Sequence, residues 1–116
     1  MKNNSDAKLL RIFIGESNKL GNIPLYEAIV FKAKEYGLSG ATVTKGIMGF
    51  GANSKINSAK LFTISQDFPL IVEVIDVENK IKDFIKTVEK MFELSNSGGL
   101  ITVEKAEIIR YTAVKK

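Results

Sequence analysis

The sequence contains no cysteine, no histidine and no tryptophan, and only two prolines in 116 residues. Each absence removes a class of chemistry. Without cysteine there is no disulfide framework, no thiolate nucleophile and no thiolate metal site. Without histidine there is no Ser-His-Asp triad, no imidazole base and no common zinc or iron site. Catalysis would fall to a carboxylate, lysine, serine, threonine or tyrosine, all ordinary surface residues, so composition leans away from an enzyme. Long apolar runs are also missing: no stretch approaches the roughly 18 residues that a membrane span requires. The leading residues, Met1 to Lys8, are polar and lack the apolar centre of a signal peptide. A cytoplasmic protein with no membrane insertion is the expectation.

What is present is globular in kind, with 45% hydrophobic and 26% charged residues. The length suits one domain. Residues 1–7 are expected to form a disordered polar lead-in, and 8–116 a single folded unit. The net charge is +4, from 17 basic and 13 acidic residues. Arginine is scarce, with only Arg11 and Arg110; the lysines are interleaved with Glu and Asp. That pattern reads as a solvated surface and not as the one-sided basic face of a nucleic-acid binder.

Periodicity assigns the elements. Leu9 to Gly15 reads as a strand, with Leu10, Ile12 and Ile14 on one face and Leu9, Arg11 and Phe13 on the other. The second face is also partly apolar, so a partner subunit is expected to cover it. Glu16 to Asn22 reads as a loop. Asn22 and Pro24 suggest the start of a helix, followed at helical spacing by Leu25, Ala28, Ile29, Ala33 and Tyr36 and closed by Gly37. A second strand spans Ala41 to Met48 and runs into Gly49-Phe50-Gly51. Residues 52–59 are small and polar and read as a loop, with a short strand-like extension at Lys60 to Ser65. Leu70 to Val77 is the most apolar strand. Ile81, Phe84, Ile85, Val88, Met91 and Phe92 mark an amphipathic helix that ends in the turn cluster Ser95 to Gly99. Leu100 to Tyr111 reads as a last strand, with a bulge or bend near Glu104-Lys105 where alternation slips.

The order β-α-β-β-α-β predicts an α+β, ferredoxin-like domain. Its antiparallel four-stranded sheet would carry both helices on one face and leave the other open.

The glycines are the informative residues. Gly46, Gly49 and Gly51 flank Phe50, and Gly98 and Gly99 follow the second helix. Such turns serve tight backbone geometry, or let backbone amides approach a phosphate. Neither the Walker pattern nor the dinucleotide fingerprint is present. Lys45 to Gly51 loosely matches an RNA-recognition strand, but lies on the second strand instead of the third, with Phe50 its sole aromatic. Glu73 and Asp76 interrupt the apolar third strand; three apart, they point to opposite faces and form no obvious acid–base pair.

Gly40 to Thr44, followed by Gly49-Phe50-Gly51 and a polar loop, resembles the second strand and loop base of PII signalling proteins. Phe68-Pro69, leading into the strand with Glu73, resembles the return from the PII loop. Gly98-Gly99 before Ile101-Thr102-Val103 resembles the PII phosphate-binding loop and last strand. The likeness spans most of residues 8–110. The chain is also similar to a small uncharacterised bacterial and archaeal family of PII-like proteins, in which Ile14 to Ser17 and Gly49 to Gly51 are typical segments.

The resemblance implies a homotrimer of ferredoxin-like subunits whose sheets face inward. It also implies an adenine nucleotide, or a related anion, bound in the clefts between subunits. A loop, here 52–66, would dock on a transporter or enzyme in a ligand-dependent way. Carried over by position, Thr42, Gly49, Phe50, Gly51, Glu73, Gly98, Gly99 and Arg110 match the ligand-binding positions; no catalytic residue, metal ligand or obligatory cofactor is implied. Departures from PII fall on charge. Ala52-Asn53 stands where PII has Arg-Gln, Leu100 follows the paired glycines, and Ile108 replaces an arginine. Charge-assisted contacts to a triphosphate are thereby lost. Weak ATP binding is expected, or a ligand with less phosphate charge such as a monophosphate or cyclic nucleotide. Two alternatives stand beside this reading: a small enzyme on the same fold, using Glu73 or Glu16 as acid or base, and an interaction module without a small ligand.

Overall fold

In a computed structural model, which describes residues 6–52 and 67–114, alternation along two strands and helical spacing along two helices meet in one core. β1 (Ala7–Gly15) and β5 (Pro69–Val77) lie side by side at the centre of a four-stranded sheet. β4 (Thr42–Lys45) pairs with β5 at one edge, and β6 (Leu100–Ala106) pairs with β1 at the other. The order is β4-β5-β1-β6, and every pairing is antiparallel. A small hairpin, β2 (Lys19–Leu20) and β3 (Ile23–Pro24), precedes helix α1 (Leu25–Glu35), and α2 (Glu78–Ser95) follows β5.

Leu10, Ile12 and Ile14 of β1 and Leu70, Val72 and Val74 of β5 are buried together under the helices. From α1 they meet Leu25, Ala28, Ile29 and Ala33, and from α2 Ile81, Phe84, Val88 and Met91. Each large side chain so buried contributes roughly 1.5–3 kcal/mol. This is the ferredoxin-like sandwich that the sequence predicts.

The opposite face of the sheet carries Leu9, Arg11 and Phe13 of β1, with Ile71, Glu73 and Ile75 of β5 in register beside them. Thr42 is aligned with Glu73, and Thr102 with Arg11. Ile75 and Leu100, at 37% and 54% exposure, remain accessible on this face.

Several boundaries differ from the sequence-based expectation. β1 begins at Ala7, which is fully buried, inside the stretch expected as lead-in. The segment 16–22, expected as a loop, contains β2 and the turn of the β2–β3 hairpin, with Gly21 at a positive φ of 65°. Asn22 does not cap α1. Pro24 occupies that position with extended geometry, and the Leu25 amide donates to the Asn18 carbonyl at 2.8 Å. β4 stops at Lys45 and not at Met48. β6 stops at Ala106 and not at Tyr111, and its pairing with β1 runs unbroken from Leu100 to Ala106, with no bulge at Glu104-Lys105. The strand-like extension at Lys60 to Ser65 and most of the loop 52–59 lie outside the described residues.

Candidate functional site

The end of β1, the start of β5 and the start of β6 lie at the same end of the sheet. There the two glycine segments converge. Gly49, Phe50 and Gly51, beyond β4, and Gly98 and Gly99, beyond α2, line one cleft of about 130 Å³ with Phe13, Gly15, Asn18 and Asp67. A Cβ on Gly99 would stand 2.6 Å from the Phe13 carbonyl oxygen and 2.6 Å from Phe92 Cε2, so this turn has no room for a side chain. A Cβ on Gly49 would stand a tight 3.2 Å from Pro69 Cγ, whereas one on Gly51 would meet nothing within 4 Å.

The chain on either side of 53–66 is tied to the β1–β2 connection. The Gly46 amide donates to the Pro69 carbonyl at 2.7 Å, and the Glu16 amide to the Phe68 carbonyl at 2.8 Å. Asp67 Oδ1 accepts the Ser17 amide at 2.9 Å. Lys45 Nζ lies 3.2 Å from Glu16 and 4.5 Å from the centre of the Phe68 ring. Asp67 is the one ionisable side chain among the described residues lining the glycine cleft.

The other carried-over residues lie elsewhere. Thr42 and Glu73 line a second, more open cleft of about 470 Å³ on the open sheet face, with Leu9, Ile75, Ser39 and Tyr111. Arg110 lines neither cleft and donates through Nε to Thr112 at 3.3 Å. Within one chain, the eight site residues thus divide into a glycine cleft, a sheet-face cleft and an exposed arginine.

Both carboxylates considered as acid or base are paired. Glu73 Oε2 accepts Arg11 Nε at 2.7 Å, and Arg11 also donates to Glu104. The Glu73 hydrogen bond, above all, raises the Arg11 guanidinium above its ordinary range. Glu16 is bound to Lys45. Asp76 faces the other side of β5, as its spacing from Glu73 predicts. It is 2% exposed and accepts the amides of Ser39 at 2.8 Å and Val77 at 2.7 Å. Among the described residues no cluster of three acidic groups is placed to hold a metal, and no helix is long and apolar enough to cross a membrane.

Arg11, Asp67 and Tyr111 were not singled out as site residues by sequence reasoning. Arg11 was legible as a lone charge on an apolar strand face. The partners of Asp67 and Tyr111, 50 and 72 residues away, left no local signal.

The fold is that of PII-like proteins. The structure superposes with a TM-score of 0.67 on a nitrogen regulatory PII-like protein, CPII from Thiomonas intermedia K12, bound to ADP, AMP and bicarbonate; identity is 17%, over 90% of this chain and 89% of that one. A PII-like signalling protein from Thermus thermophilus matches with a TM-score of 0.62 and 16% identity, over 89% of each chain. The chain belongs to the DUF190 family, described as Uncharacterized ACR, COG1993, whose model matches residues 7–108. It is 41% identical to a UPF0166 protein of Aquifex aeolicus (strain VF5) over 102 residues, covering 88% of this chain and 92% of that protein. A UPF0166 protein of Methanocaldococcus jannaschii is 32% identical over 104 residues, covering 90% and 93%.

Proposed function

We propose that the protein is a PII-like regulator. It senses an adenine nucleotide or a related anion in clefts between three subunits and reports through the segment 52–66. The observation that carries this reading is the convergence of Gly49–Gly51 and Gly98–Gly99 on one cleft. The chain bordering 52–66 is hydrogen-bonded into the same cleft wall at Ser17 and Asp67. A ligand seated there touches the base of the reporting segment and shifts the population of its conformations toward a form that a transporter or enzyme accepts.

Two features support the rest of the proposal. The open sheet face presents Leu9, Phe13, Ile71, Ile75 and Leu100, an apolar surface suited to burial against other copies of the chain. Assembly around that face would bring the sheet-face cleft of one subunit toward the glycine cleft of the next. The glycine cleft, lined by Asp67 and by no cation among the described residues, does not favour a triphosphate. A ligand with less phosphate charge fits better.

Thermal unfolding of the purified protein against ATP, ADP, AMP, cyclic nucleotides and inorganic phosphate tests this. A ligand that binds only the folded protein stabilises it by about 2.7 kcal/mol at a hundredfold excess over its Kd. The expected result is a raised midpoint with AMP or a cyclic nucleotide and none with phosphate. A flat response across the panel overturns the nucleotide assignment.

A further inference from the structure

The sheet-face cleft has a wall that no strand or helix supplies. Beyond β6 the chain returns to the β4 edge, where the Tyr111 hydroxyl donates to the Ser39 carbonyl at 2.7 Å. Ser39 is itself immobilised: its amide donates to the buried Asp76, and its hydroxyl to the Ile75 carbonyl. Asp76, on the core side of the sheet, thereby fixes an aromatic ring on the open side through one intermediate residue. A buried carboxylate that has its hydrogen bonds is a stiff anchor, because releasing it leaves polar groups unpaired.

Tyr111 remains 47% exposed, so its ring is available to a ligand. The floor beneath it is apolar, from Leu9 and Ile75, and Thr42 and Glu73 supply polar groups beside it. Arg11 occupies Oε2 of Glu73, which leaves Oε1 able to accept a hydrogen bond. An aromatic wall, an apolar floor, a hydroxyl and a carboxylate acceptor suit a flat heterocycle that carries an amino group. At about 470 Å³ the cleft falls within the range of roughly 300–1,000 Å³ typical of small-molecule sites.

We infer that Tyr111, positioned by Ser39 and Asp76, is the stacking wall for the aminopurine of an adenine nucleoside or nucleotide, and that this contact supplies more of the affinity than the phosphates do. The inference rests on the nucleotide reading above and adds to it a residue and a source of affinity.

Titration calorimetry of the full chain with adenosine and with ATP decides it, on the wild type and on Tyr111→Ala and Tyr111→Phe. Adenosine and ATP are expected to bind the wild type within a few-fold of each other. Tyr111→Ala weakens both about tenfold or more, the scale of a lost base–aromatic stack. Tyr111→Phe keeps the ring but loses its hydrogen bond to Ser39, so its affinity falls between those of the wild type and Tyr111→Ala. The free Tyr111→Ala protein unfolds at the wild-type midpoint, which separates stacking from a structural role. Undiminished adenosine binding by Tyr111→Ala overturns the inference. So does ATP binding without adenosine binding, which leaves the regulator reading standing. Failure of the wild type to bind either compound also overturns the inference, and the thermal-unfolding panel with AMP and cyclic nucleotides then decides the regulator reading separately.

Discussion

Gly99 passes so close to Phe92 that a Cβ in its place would stand 2.6 Å from the ring's Cε2 and 2.9 Å from its Cζ. The same Cβ would meet the Phe13 carbonyl, so the clash involves backbone as well as side chain. The turn after α2 is thus fitted between the end of β1 and the last apolar turn of the helix.

Gly99→Ala is expected to destabilise the protein by about 1–3 kcal/mol, as overpacking of a filled site does. It should also weaken any ligand of the glycine cleft, because relief of the clash displaces the Gly98–Gly99 turn. Urea unfolding with an unchanged slope measures the first effect, and the nucleotide thermal-shift panel the second. Gly51→Ala, where a Cβ meets nothing within 4 Å, is the control and is expected to leave stability within about 0.5 kcal/mol.

Asp76 is the buried polar side chain of the described residues, and removing it leaves two amides without their acceptor. Asp76→Ala is expected to cost about 2–5 kcal/mol, one desolvation penalty for each unpaired N–H. Asp76→Asn retains one acceptor oxygen and should cost less. Equilibrium denaturation of the two variants orders them; equal stability of Asp76→Ala and wild type would remove Asp76 as the anchor of Ser39.

Arg11 lies between Glu73 and Glu104 on the open face, with all three side chains partly solvated in the single chain. Exposed pairs of this kind add little to the stability of an isolated subunit. If three subunits bury this face, the balance changes: Arg11→Gln leaves two neighbouring carboxylates without their cation in a drier environment. Subunit association is expected to weaken about tenfold or more, while the fold of the single chain survives. Sedimentation velocity across a concentration series reads the association, and circular dichroism reads the fold. An unchanged association constant would place the subunit interface elsewhere.

The parts of the fold legible in the sequence are those whose signal is local. The alternation of Leu10, Ile12 and Ile14 and the helical spacing of Ile81, Phe84, Val88 and Met91 each identify a buried face without reference to any other element. Strand ends were not legible, because they depend on what lies alongside. β6 stops at Ala106 since its partner β1 begins at Ala7, opposite it. Tyr111, beyond that end, bonds instead to the Ser39 carbonyl at the β4 edge. β4 stops at Lys45, opposite Leu70; Pro69 comes next and has no amide to donate, so the ladder ends on the Gly46–Pro69 hydrogen bond. The slip at Glu104-Lys105 reflects an edge strand whose outer end is solvated. At the site, the glycine pattern was readable and the convergence of its two halves was not, since that depends on β1, β5 and β6 sharing an end.

The hydrogen bond from the Gly46 amide to the Pro69 carbonyl closes the β4–β5 ladder, at the end of the sheet nearest residues 52 and 67 in the chain. Among the described residues, every strand pairing of the sheet lies on the near side of that closure. The stretch between can change in length or composition without propagating an error into the core. The sheet is in this sense a chassis, whose register is set without reference to the residues that join β4 to β5.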